Sequence, residues 1–183
     1  MAPPRSFCRF RREIAPGAHS VSVVPPPGMC LSTFLVLSPR GTPGTVLLGR
    51  IDPRADWEEL GALDPERVAG VQAGWMLPSS HLMLYESPHD AARRIAMEQL
   101  ARPDLSFGAP MVVSDASPRA NAVAGEMHWD LGFIFSGDWP ASPGSPPAPW
   151  SRLELVDLSR IRSSEIVRGQ ADILVYAGRR VGP

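Results

Sequence analysis

Lysine is absent from this chain: all 18 basic residues are arginine. Guanidinium forks chosen singly for phosphate cannot explain an exclusion that holds in every segment. Coding bias from a GC-rich genome can. Cysteine is nearly absent as well. The two present, Cys8 and Cys30, lie far apart, and no C-x-x-C spacing marks a zinc or redox site. A disulfide is left open, but Cys30 at the head of an apolar run reads as a small buried hydrophobe. No run approaches the roughly 18 apolar residues of a membrane-spanning helix. The N-terminus has arginines without the apolar core of a signal peptide, which makes cytoplasmic the default expectation. A formal charge of −1 gives no electrostatic reason to expect a nucleic-acid polymer or an anionic membrane as partner. No internal repeat is visible.

What is present suits one ordinary domain. The 183 residues are 44% hydrophobic and 20% charged, enough to bury a core. Residues 1–28, rich in Pro and Arg, read as an extension, and 29–183 as the domain. Within the extension Ser20 to Val24 alternates and suggests an edge strand, which would suit a homodimer. Arg9, Arg11 and Arg12 read as a solvated basic tail or an anion contact. Met29 to Leu37 and Val46 to Arg50, joined through Pro39, Gly41, Pro43 and Gly44, read as a hairpin. Asp64 then caps a short helix with Pro65 at its first position. Pro110 to Ser114 and Met127 to Phe135 read as strands, Asp138 to Pro149 as a surface loop, and Trp150 to Leu158 as the last strand and a capped turn. A final helix is expected over Glu165 to Ala177, weakened by Gly169 and ended by Gly178.

The centre of the chain is the stretch from Trp75 to Arg102. A strand-like start passes through Leu77-Pro78-Ser79-Ser80 into a helix capped by Ser87, with Pro88 at its first position and Asp90 three residues after the cap. Pro103 stops it. These residues resemble the Nudix box, G-x5-E-x7-R-E-U-x-E-E-x-G-U with U a bulky aliphatic residue, laid over 80–102. Ser80 falls on the first Gly, Glu86 on the first Glu, and Arg94 on the Arg. Ile95 falls on the next Glu, Glu98 and Gln99 on the Glu pair, and Ala101 on the last Gly. The flanks Trp75, Leu77, Pro78, Glu86-Ser87-Pro88 and Ala91-Ala92 match as well, and the strand ending in Leu47-Leu48-Gly49-Arg50 extends the likeness upstream.

The resemblance implies an α/β/α sandwich around a mixed β-sheet, with the box helix on one side and the C-terminal helix on the other. It also implies a metal-dependent hydrolase of phosphoanhydride bonds in nucleoside diphosphate-linked compounds, using Mg²⁺ or Mn²⁺. The box is degenerate, however. Positions 95 and 99 stack on one helix face with 98 beside them. Magnesium wants oxygen ligands there, and of three expected carboxylates only Glu98 remains. Two functions are therefore carried forward: a hydrolase with weakened or rewired activity, and a catalytically inactive Nudix-fold protein that binds a small nucleotide-like ligand in a regulatory or scaffolding role.

The candidate catalytic residues are Glu98, Arg94 and Glu86, and the metal candidates are Glu98 and Gln99. Glu86, Arg94 and Glu98 have an equal reading as struts fixing the loop to the helix. The ligand candidates are Arg50, Ser79, Ser80, His128 and Asp130. Strand alternation groups His128 with Asp130, and with Glu126 they are the candidates to replace the missing ligands; their plainer reading is a hydrogen-bonded pair on a sheet face. His81 and His89 form at most a weak transition-metal signal and read as surface residues. Trp57, in the segment before the box, is either a base-stacking or a core residue.

Overall fold

The computed structural model describes residues 9–10, 29–61, 63–118, 127–140, 146–147 and 149–182. Of the expectations above, the strand at Ser20 to Val24, Cys8, Glu126 and the side chain of His128 lie outside the described residues.

The strands are β1 (Arg9–Phe10), β2 (Met29–Ser38), β3 (Thr45–Ile51), β4 (Ser79–His81), β5 (Met111–Pro118), β6 (Met127–Asp138) and β7 (Trp150–Asp157). The helices are α1 (Trp57–Gly61), α2 (Pro65–Val71), α3 (Pro88–Leu100) and α4 (Gln170–Tyr176). β2 and β6 run parallel in the middle of a mixed sheet, with β5 antiparallel to β6 and with β1 and β4 both antiparallel to β2. The expected hairpin of β2 with β3 does not form. β3 pairs instead with β7, antiparallel, in a second two-stranded sheet. The Gly/Pro loop between β2 and β3 carries the chain from one sheet to the other, a choice that local turn chemistry does not specify.

Residues 75–81 join the two sheets. Met76 exchanges backbone hydrogen bonds with Gly49 of β3, 2.9 Å each way, while the Trp75 N–H donates to Glu165 O at 2.8 Å. A few residues on, the Leu35 N–H of β2 donates to Pro78 O at 2.9 Å and β4 begins.

Alternation along β2 and β6 separates two cores. Leu35, Leu37 and Phe135 face Ala92, Ile95, Ala96 and Leu100 of α3, together with Trp57, Leu63, Trp139 and Trp150. Val36 and Ile134 face the other way, with Leu174 of α4, Trp75, Leu77 and Ile166. The layers are thus helix, sheets, helix, and the expected α/β/α sandwich with the box helix and C-terminal helix on opposite sides is the observed architecture.

The caps form as their residues dictate. Asp64 Oδ1 accepts the Arg67 N–H at 2.9 Å, and Ser87 Oγ accepts the Asp90 N–H at 3.1 Å. The final helix is shorter than expected. A 3₁₀ turn at Ser163–Glu165 comes first, Gly169 adopts φ 66°, and α4 starts only after it. Glycine's access to the left-handed region interrupts the helix here as well as weakening it. No helix among the described residues is long and apolar enough to cross a membrane.

Candidate functional site

The box divides into a half that holds the loop and a half that faces the segment before it. In the first, Arg94 is the hub. Its Nε donates to Glu86 Oε1 at 2.7 Å and its second terminal nitrogen to Glu86 Oε2 at 2.9 Å, a bidentate pair whose side chains are only 7% and 8% exposed. The same guanidinium donates to His81 O at 2.9 Å and Ser80 Oγ at 3.3 Å. Glu86 Oε2 also accepts the Met83 N–H at 2.8 Å, closing the turn on which it sits. A planar fork with five donors satisfies this many acceptors where an ammonium cannot. Glu98, one turn on, shares the helix face of Arg94, yet that contact is the long one, at 4.0 Å; the strong partner lies eight residues back, across the loop.

The second half bears on metal. Ile95 is fully buried in the α3-side core and offers no donor atom. Gln99 is 1% exposed, and both ends of its amide are committed. Its Oε1 accepts the Ser79 N–H at 3.1 Å, while its Nε2 donates to Ser79 O and to Leu60 O, each at 2.9 Å. Its backbone carbonyl accepts from the Trp150 indole at 2.6 Å. An amide suits this place and a carboxylate does not, because two carbonyl oxygens call for a donor. The expectation that Gln99 lends a carbonyl oxygen to a metal therefore meets a side chain already in use. Glu98 is the one box carboxylate left on this half and stands near Arg94. Among the described residues no group of three or more His, Cys, Asp and Glu side chains comes together as a metal site. A hard divalent cation needs several oxygen ligands, and the side chains at 95, 98 and 99 do not fit one.

The segment before the box fills the neighbouring space. Trp57 is 1% exposed, meets Trp150 edge to face at 4.9 Å and donates its indole N–H to Asp52 O at 3.0 Å. It is core, not a base-stacking platform. Trp150 also explains Gly49: a Cβ there would lie 2.2 Å from the indole ring. A glycine inside a strand pattern is the sequence signal of such close approach, and here it marks the wall around Gln99.

The other candidates do not converge on Glu98. Ser79 and Ser80 are each 2% exposed, and their side chains are engaged, Ser79 Oγ with Leu77 O and Gln170, Ser80 Oγ with Arg94. Asp130 accepts from Ser32 Oγ at 3.3 Å. It shares strand parity with Gly132 and Ile134, which face the α4 side, so the sheet separates it from α3 and it cannot replace the missing ligands beside Glu98. Arg50 has the parity of Val46 and Leu48 on that same side, with its guanidinium carbon 4.8 Å from the Trp75 ring centre and Arg152 over the same ring at 5.3 Å. His81 is buried, contrary to expectation. His89 lies within 3.1 Å of Gly108 O and meets Phe135 edge on.

No family model matches the sequence, and no curated protein does. Solved structures do match in fold. The MutT protein of Methanosarcina mazei superposes with a TM-score of 0.55 at 13% identity, over 82% of this chain and 94% of its own. A Nudix hydrolase from Nitrosomonas europaea gives 0.50 at 19% identity, over 84% and 92%. The Nudix domain of Shewanella oneidensis NrtR, complexed with ADP ribose, gives 0.53 at 15%, over 82% and 86%. The chain has the Nudix fold.

Proposed function

We propose that this chain uses the Nudix fold without a hydrolytic metal centre and serves as a binding protein for a small nucleotide-like ligand in a regulatory or scaffolding role. The observation that carries the first part is the Gln99 amide, which donates to Ser79 O and Leu60 O where the box would place a carboxylate. Ile95 sealed beside it supports the same reading. The ligand class draws on the fold neighbour complexed with ADP ribose. Arg50, half-buried with its Nε unpartnered among the described residues, is the candidate left to meet a phosphate.

One observation favours the other reading: the Glu86–Arg94 pair and Glu98 are all in place, so a hydrolase using Mg²⁺ or Mn²⁺ with ligands from elsewhere is the alternative. Release of phosphate or nucleotide from nucleoside diphosphate derivatives and triphosphates, with each metal, separates the two. The proposal expects no turnover by the wild-type chain, together with calorimetric binding of ADP ribose or a nucleoside diphosphate in EDTA that weakens in Arg50→Gln. Turnover that disappears in Glu98→Gln would overturn it, and absence of binding in EDTA would remove the ligand part.

A further inference from the structure

A second polar site lies on the opposite face from the box helix, at the far ends of β2 and β6. Ser38 continues the parity of Val36, and Ser136 and Asp138 continue that of Ile134, so all three turn toward the α4 side. There they line a cavity of about 270 Å³ with the 39–43 turn and Arg179, the residue that follows Gly178 where the chain turns (φ 72°) out of α4. The backbone of Arg179 is anchored, its N–H donating to Leu174 O at 2.8 Å.

Two buried side-chain atoms in this cavity have no hydrogen-bond partner among the described residues. Ser38 is 6% exposed and its Oγ makes no hydrogen bond, and Arg179 Nε is buried and makes none either. Buried polar groups are paired in native proteins nearly without exception. A water could satisfy the hydroxyl, but a guanidinium with a desolvated nitrogen also calls for negative charge. The one carboxylate in the wall does not supply it. Asp138 is held by Arg40, whose Nε donates at 3.0 Å with a terminal nitrogen at 2.9 Å, and no ion pair joins Arg179 to any described carboxylate. The wall thus presents donors and a surplus of positive charge, which a cation would not choose.

We infer that this cavity binds a phosphate group, free or as the monoester of a small molecule, through Arg179 and the Ser38 hydroxyl. A tetrahedral oxyanion has the acceptors to take the Arg179 donors and the Ser38 O–H together, and charge-assisted bonds of this kind are the strong ones. The inference does not depend on what the box does, since the sheets separate the two places.

The test is thermal melting and amide NMR of the full chain titrated with inorganic phosphate and with glycerol phosphate, against chloride at matched ionic strength. The expected result is a saturable rise in Tm, with shifts centred on residues 38–44 and 178–180. Arg179→Gln should weaken phosphate binding at least about tenfold and Ser38→Ala severalfold, while Arg180→Gln leaves it unchanged. A response to the monoester that exceeds the one to inorganic phosphate identifies the bound form as an ester; the reverse identifies the free ion. No saturable response to either, or equal responses in wild type and Arg179→Gln, would overturn the site.

Discussion

The two halves of the box share one helix and have different chemistry. Around Arg94 the charges remain, buried, paired and tied to the loop through Glu86, Ser80 and His81. Around Ile95 and Gln99 the side chains are neutral and the same helix packs against α1 and the tryptophans as an ordinary core element. The difference teaches that the residues shaping the loop and those at 95 and 99 are separable, since each set is held by its own partners.

Substitutions can strain that contrast from either side. The largest effect is expected on the charged half. Glu86→Gln leaves a buried guanidinium without its anion and should cost about 3–5 kcal/mol, the range for breaking one member of a buried pair; chemical denaturation measures it. If the pair is worth no more than a surface bridge, the loss will be below about 1 kcal/mol, and the two halves would not differ as described. On the neutral half, Gln99→Leu strands the Ser79 N–H and two carbonyl oxygens, and should cost about 2–4 kcal/mol by the same measurement, given the desolvation penalty of unpaired buried groups. Equal stability would mean that the amide clamp is not what holds α1 to α3.

A smaller effect of opposite sign is expected where the box ends. Ala101 caps α3 at φ 53°, the position that the box gives to glycine. Ala101→Gly relieves a left-handed residue and should stabilise by about 1 kcal/mol, read as a rise in Tm. The smallest is a surface control for the buried pair. Arg54 chelates Asp52 through its side chain and backbone N–H, and these hydrogen bonds hold the Asp52 carboxyl down at about 2. Because the folded value lies below the unfolded one, any stability it adds is present above about pH 4 and is lost as pH falls toward 2. Arg54→Gln should return the NMR titration of Asp52 to the ordinary carboxylate range while leaving Tm at neutral pH almost unmoved, in contrast to Glu86→Gln.

Much of this was legible in the chain because it is local. Ser87 before Pro88, Asp64 before Pro65 and the alternation from Met127 each fix a cap or a strand within a few residues. The sandwich itself followed from the resemblance of the box and its flanks. What escaped depends on partners distant in sequence. β2 and β3 look like a hairpin until β7, a hundred residues later, takes β3 into another sheet. Gln99 reads as a poor metal ligand until Leu60 and Ser79 are seen against its amide. Asp130 looks like a compensating ligand because alternation groups it with His128, but alternation does not say which face meets α3; only the packing of Ile134 and Phe135 does.

Residues 75–81 have a consequence for how the molecule comes apart. They bond to β3 at Gly49, to the 3₁₀ turn at Glu165 and to β2 at Leu35 and Ser32–Phe34 within a single short span. A seam with this many stitches leaves neither sheet a way to peel off alone. The amides of Met76 and Gly49 should then exchange with solvent deuterium only when the whole domain unfolds, and with the same free energy of opening as each other.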